Sequence, residues 1–161
     1  MSLVDRAHTL QTQAHDLFTE LDLGTAFPWP PTMIGSALSG LMVTRDLDVL
    51  FDAPDATAPA ILAGLATLAQ RVEVESIDFR DERADRRPTP AITDERYYAV
   101  LRTASWKVDL TFWLHVVERP HLAHARRVSE CSDEQRRMIL RLKDELPGSD
   151  SSTIYNAVLD L

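Results

Sequence analysis

Cysteine is nearly absent from this chain: Cys131 is the single example in 161 residues. One thiol excludes an internal disulfide and suits a reducing cytoplasm, so the fold must be held by its core. Cys131 itself reads as a small buried or half-buried side chain. Long apolar runs are missing as well. None approaches the roughly 20 residues needed to span a bilayer, and Met1-Ser2-Leu3-Val4-Asp5-Arg6 lacks the basic start and apolar stretch of a secretory signal. No membrane partner and a cytoplasmic location are therefore expected. Positive charge is in deficit, with 17 Lys and Arg against 25 Asp and Glu and a net charge of −8. That balance argues against wrapping duplex nucleic acid through a general basic surface, while leaving room for a local basic groove. Internal repeats and low-complexity tracts are also missing.

What is present is the composition of a soluble domain, 45% apolar and 26% charged. A chain of this length buries a real core, and residues 1–161 read as one domain. Ser2 and Asp5 form a helix start, and Leu3, Ala7, Leu10, Ala14, Leu17 and Leu21 give one apolar stripe, predicting a helix over 2–23 with Gly24 as its stop. His8 and His15 lie seven apart and read as exposed, since a helical metal pair needs a spacing of three or four. Phe27-Pro28-Trp29-Pro30-Pro31 can be neither helix nor central strand; it delivers the chain to a short strand, Thr32-Met33-Ile34, and then to a Gly35-Ser36 turn.

Beyond that turn, Asp46 to Phe51 reads as a strand. Asp55 or Thr57 caps a helix reaching about Gln70, with Ile61, Leu62, Leu65, Leu68 and Ala69 on its apolar side. Val72, Val74, Ile77 and Phe79 alternate with polar residues, with a phase slip near Ser76 that reads as a bulge. The charged stretch Arg80 to Pro90 is a solvated hairpin tip whose acids balance its arginines. Tyr97 to Arg102 and Lys107 to Val116 complete an antiparallel meander. From about Glu118 the chain is helical; His121 and His124 beside Arg126 and Arg127 read as a wet face. Ser132 and Gln135 make a capping box before Met138, Ile139, Leu142 and Leu146. Pro147-Gly148 ends that helix, and Ser151 or Ser152 starts a last one carrying Ile154, Tyr155, Val158 and Leu161. The expected fold class is α+β: a mixed, largely antiparallel sheet over about 30–116, flanked by the N-terminal helix and by C-terminal helices over 117–161.

Chemistry enters through the aspartates. Successive strand residues point to opposite faces, so Asp46 and Asp48 share one face while Leu47, Val49 and Phe51 enter the core. Two negative charges on a largely buried strand ask for a cation between them, and hard divalent cations take oxygen ligands. Val108, Leu110, Phe112, Leu114 and Val116 likewise form one apolar face, leaving Asp109 opposite with Lys107, Thr111, Trp113 and His115. His115 is six residues from Asp109, roughly 20 Å at strand rise, and is not paired with it. If the strand of Asp109 lies beside that of Asp46 and Asp48, three carboxylates meet and can hold two divalent ions about 3.5–4 Å apart, as used for in-line phosphoryl transfer. Gly35 lets the backbone approach a ligand and Ser36 adds a hydroxyl, a combination suited to phosphate and equally common in ordinary turns.

Ile34-Gly35-Ser36, Asp46-Leu47-Asp48 and Val108-Asp109-Leu110, in that order, resemble the motif of the nucleotidyltransferase superfamily of DNA polymerase beta type. The resemblance spans about residues 30 to 116. It implies a minimal mixed sheet with helices, Gly35 and Ser36 on the triphosphate of a nucleoside triphosphate, and Asp46, Asp48 and Asp109 on two magnesium (or manganese) ions. It also implies that Asp109 helps deprotonate an acceptor hydroxyl on a small molecule or protein. The chain departs from the family at Ala37 and Arg45, where many members carry arginine and serine. Arg45 can touch a nucleotide phosphate or neutralise Asp46. Two functional classes follow: a magnesium-dependent nucleotidyltransferase, or a non-catalytic binding module working beside a helical partner protein. A phosphodiester hydrolase built on the same acids ranks third. Trp29 and the long stripe of the first helix leave room for a homodimer interface.

Overall fold

Ser2 opens the first helix as expected. Its Oγ accepts the Asp5 N–H at 3.1 Å while the Asp5 carboxylate accepts the Ser2 N–H at 3.2 Å. The computed structural model describes residues 1–117 and 120–160, with side chains for all of these but 120–123. Helix α1 (Leu3–Leu21) buries Ala7, Leu10, Ala14, Leu17 and Leu21, five of the six residues of the expected stripe. It ends at Asp22, which adopts the left-handed conformation; Gly24 lies instead within the short α2 (Leu23–Ala26). An aspartate tolerates that conformation and so replaces the expected glycine stop.

The chain then lays down β1 (Thr32–Ile34), α3 (Gly35–Ser39), β2 (Asp46–Asp52), α4 (Ala58–Arg71), β3 (Ser76–Glu82), β4 (Arg96–Arg102) and β5 (Lys107–Trp113). Helices α5 (Pro120–Ser129), α6 (Asp133–Glu145) and α7 (Ser151–Leu159) follow. The five strands are ordered β1-β2-β5-β4-β3. β2 and β5 pair in parallel, and the other pairings are antiparallel. The fold is thus α+β, with the mixed, largely antiparallel sheet the sequence predicts.

One sheet face carries the core. Leu47, Val49, Phe51, Ala99, Leu101, Val108, Leu110 and Phe112 pack against Leu10, Ala14, Leu17 and Leu21 of α1 and Ile61, Leu65 and Leu68 of α4. Phe51 and Phe112, cross-strand partners, stack at 4.6 Å, and the Phe27 ring meets both edge-on. Phe27 explains Gly64: a β-carbon there would strike the Phe27 ring and come within 2.9 Å of the Ala26 carbonyl. Trp29 also belongs to this core, its indole N–H donating to Asp55 at 2.7 Å. Trp29 and the α1 stripe are therefore spent inside the chain rather than offered to a second subunit.

Several boundaries differ from the sequence reading. The Gly35-Ser36 turn is the first turn of α3. β3 starts at Ser76, because Val72 caps α4, and its register with β4 runs unbroken to Glu82, so the phase slip marks a strand start and not a bulge. β5 stops at Trp113, leaving Val116 exposed. Leu62 and Ala69 face outward on α4, and Met138 and Leu146 are exposed at α6, whose inner face is Ile139 and Leu140. Those two join Ala7, Leu41, Val128 and Ile154 in a second apolar cluster binding α1, α5, α6 and α7. Both expected caps hold, Thr57 on α4 and Ser132 with Gln135 on α6, while α7 is capped by Asp150. The helix start at Glu118, the His121 side chain and Leu161 lie outside the described residues. No helix among the described residues is long and apolar enough to cross a membrane.

Candidate active site

The second sheet face is polar, and α6 and α7 reach over one end of it. β2 buries Leu47, Val49 and Phe51, so the pleat turns Asp46 and Asp48 outward on this face. β5 does the same with Asp109 between buried Val108 and Leu110. Parallel pairing sets Asp48 directly opposite Asp109 and Asp46 opposite Lys107. The order of the strands therefore brings two distant sequence motifs together.

Asp48 and Asp109 form a coupled pair. The Asp48 carboxyl is pushed up to about 7, first by burial, then by a hydrogen bond with Asp109 that needs the proton, and then by the negative charges of Asp109 and Asp46. Asp109 is held from two sides. Tyr98 donates its hydroxyl to Oδ1 at 2.7 Å, and the Lys107 ammonium lies 3.3 Å from Oδ2. Burial and that same hydrogen bond raise the Tyr98 phenol, which stays a donor. Asp46 accepts the Thr44 hydroxyl at 2.7 Å. Among the described residues no three His, Cys, Asp or Glu side chains stand together as a ready metal site. Two of the three expected carboxylates are thus joined, and the third lies beside them on the same face, turned to Thr44.

Gly35 is fixed by its neighbour. Its φ is +67°, and a β-carbon would lie 2.5 Å from Asp48 Oδ2, so only glycine admits both the left-handed backbone and the buried carboxylate. Gly35, Ser36, Asp46, Asp48, Lys107 and Asp109 all line one cavity of about 690 Å³. Its far wall is Lys143 with Ser151, Ser152 and Tyr155, and Arg6 and Asp144 stand at its side. Lys143 is half-buried, and burial brings its ammonium down to about 8 against the opposing pull of Asp46 and Asp48. Arg45 is placed elsewhere. It precedes the strand, is exposed, and lines a separate cavity with Glu75 and Arg102, without an ion pair to Asp46.

Lys143, Tyr98 and Tyr155 are site residues that the sequence reading does not single out. Lys143 carries a usable signal: it sits four residues after Ile139 and three after Leu140, so a cation falls on the inner helix face. Tyr98 is set by the β4–β5 register, opposite Thr111 and two residues from Asp109's own partner Val100, hence on the same face.

An all-oxygen set suits a hard divalent cation. The Asp48–Asp109 pair, which must otherwise keep a proton, is the best-suited anchor for one.

No protein-family profile and no curated protein sequence matches the chain. Among solved structures, the Cid1 poly(U) polymerase with MgGTP bound matches with a TM-score of 0.54 at 19% identity, over 86% of this chain and 42% of that one. The chain therefore spans less than half the length of that structure. The likeness is one of fold, and the strand order agrees with it: the chain has a nucleotidyltransferase-like α+β fold.

Proposed function

We propose that the protein is a magnesium-dependent nucleotidyltransferase that moves a nucleoside monophosphate from a nucleoside triphosphate to an acceptor hydroxyl. One observation carries the reading: β2 and β5 pair in parallel with Asp48 opposite Asp109, over a cavity that also contains Gly35 and Ser36. Asp48 and Asp109 would hold a divalent ion, joined by Asp46 once it leaves Thr44. Magnesium bound there would neutralise charge on the phosphates and ease deprotonation of the attacking hydroxyl. Gly35 and Ser36 would receive the triphosphate, with Lys143 facing it across the cavity. The acceptor oxygen bonds to the α-phosphorus, the bond to the bridging β-phosphate oxygen breaks, and pyrophosphate leaves. The hydroxyl proton passes to Asp109. The MgGTP of the Cid1 structure is a precedent for such a ligand on this fold.

Incubation with magnesium and each nucleoside triphosphate, followed by calorimetry, tests the reading. Binding should be lost or cut at least tenfold in Asp48→Asn and Asp109→Asn, and indifference to both substitutions sinks it. The Lys107–Asp109 ion pair, at 3.3 Å, favours a second reading, in which the lysine stands in for the metal and the fold serves as a binding module. In that case magnesium and nucleotide leave the heat signal flat.

A further inference from the structure

We propose that the acceptor is a small hydroxyl-bearing phosphate monoester whose phosphate is gripped by Arg45 and Arg102. The assignment rests on the transferase reading above and names its second substrate. A cavity of about 360 Å³ adjoins the carboxylates and is lined by Arg45, Asp46, Glu75, Arg102, Trp106 and Lys107, among others. Asp46 and Lys107 belong to both cavities, so the two spaces share a wall.

Position comes first. Asp46, Lys107 and Arg102 form one cross-strand row, β2 to β5 to β4, on the polar face. Gly35 follows β1, on the other side of β2. The phosphate turn and the second cavity thus flank the carboxylates from opposite sides. Phosphoryl transfer wants the attacking and leaving oxygens roughly in line. With the triphosphate on Gly35 and Ser36, the acceptor must approach from the β4 side, where this cavity opens.

Charge comes second. The other arginines of the sheet are paired, Arg80 with Asp78 at 3.0 Å and Arg96 with Glu82 at 3.0 Å. The side chains of Arg45 and Arg102 have no hydrogen bond or ion pair among the described residues. In a chain of net charge −8, three cations, Arg45, Arg102 and the Asp109-paired Lys107, face two carboxylates, Glu75 and Asp46, in the same cavity. Guanidinium matches phosphate through paired N–H donors. Trp106 supplies an apolar wall, and Glu75 an acceptor for a second hydroxyl. A volume of about 360 Å³ is that of a small-molecule site.

The test follows the Trp106 indole N–H by NMR as ribose 5-phosphate, ribose or a short oligonucleotide is added to the full chain, with Mg–nucleotide binding measured separately. Ribose 5-phosphate should shift the signal to saturation and ribose should not. Arg45→Ala and Arg102→Ala should each weaken binding about tenfold or more, while Arg45→Lys and Arg102→Lys keep part of it and Mg–nucleotide affinity stays unchanged. No shift with ribose 5-phosphate, an equal shift with ribose, or a response indifferent to both arginines overturns the proposal, as does tighter binding of the oligonucleotide. A Trp106 response without any Mg–nucleotide binding overturns the transferase reading, and the acceptor role with it, while leaving the anion site standing.

Discussion

The Lys143 ammonium donates to the Leu41 carbonyl at 2.5 Å. It is one of a series. Gln11 donates to the carbonyl of Ala37 at 2.9 Å, Arg136 to that of Ser39 at 3.2 Å, and Arg6 to that of Val43 at 3.1 Å. Every second carbonyl between the Gly35-Ser36 turn and the paired aspartates is therefore held by a side chain from α1 or α6. This passage, Ala37 to Arg45, is where the sequence departs from the motif it resembles. Here it is a clamped strap, which sets the spacing of Gly35 from Asp48 through contacts far away in sequence.

Lys143 serves the strap and the cavity together, and pH separates the two roles. Its ammonium sits near 8, below the ordinary lysine value, so the fold disfavours its charge. Stability should accordingly rise as pH moves from about 8 towards the unfolded value near 10, where the unfolded chain binds more protons. Nucleotide affinity should move the other way and fall above about pH 8 as the charge is lost. In Lys143→Met both trends should flatten, with affinity down about tenfold at pH 7. Calorimetric titrations at several pH values check this.

Asp48 carries the opposite sign. Its folded value, about 7, lies above the unfolded one. The contribution of Asp48 to the metal-free fold is fully present below about pH 4 and is lost as pH rises through about 7. Asp48→Asn supplies the donor of the protonated carboxyl without the charge. The variant should melt a few degrees higher than the parent at pH 8 and at the same temperature at pH 4. Magnesium should narrow the gap at pH 8 by stabilising the parent alone. Scanning calorimetry with and without the ion decides it.

The alternation that turns Asp46, Asp48 and Asp109 away from the core was legible because each strand buries only its other face, and a period of two leaves no choice of side. The α1 stripe was legible for the same reason at helical period. What brings Asp48 beside Asp109 was not: a parallel pairing depends on the crossover between them, and no local pattern reports it. On α6 the sequence offers Met138, Ile139, Leu142 and Leu146, and packing against Leu41 and Ile154 selects Ile139 with Leu140, keeps Leu142 at the edge and leaves Met138 and Leu146 exposed. That choice is what put Lys143 inward. Which cavity Arg45 lines was not legible, because it stands one residue before the strand, where the alternation does not yet apply.

Two glycines separate site from scaffold. Gly35→Ala introduces a β-carbon against Asp48 Oδ2 in a left-handed backbone. It should cost about 1–2 kcal/mol and abolish nucleotide binding by displacing the carboxylate. Gly64→Ala strikes Phe27 in the core and should cost about 1–3 kcal/mol. Its nucleotide affinity should stay within twofold at a temperature where the variant is folded. Denaturant unfolding and calorimetry on the same samples distinguish them.

Tyr98 acts through Asp109, as a positioning residue. Its hydroxyl, 2.7 Å from Oδ1, fixes one oxygen while Lys107 stands at the other. Tyr98→Phe removes that bond and leaves the ring, including the Arg96 guanidinium stacked 4.2 Å above it. Partners that orient a metal-ligating group typically affect affinity or activity by about 10–100-fold when removed. The expected result is a tenfold or greater fall in kcat with nucleotide KM little changed, and a shift of the pH–rate profile, because the hydrogen bond with Asp109 that raises the Asp48 carboxyl loses the donor that orients its partner. A purely structural role would lower the yield of active enzyme and leave that profile in place.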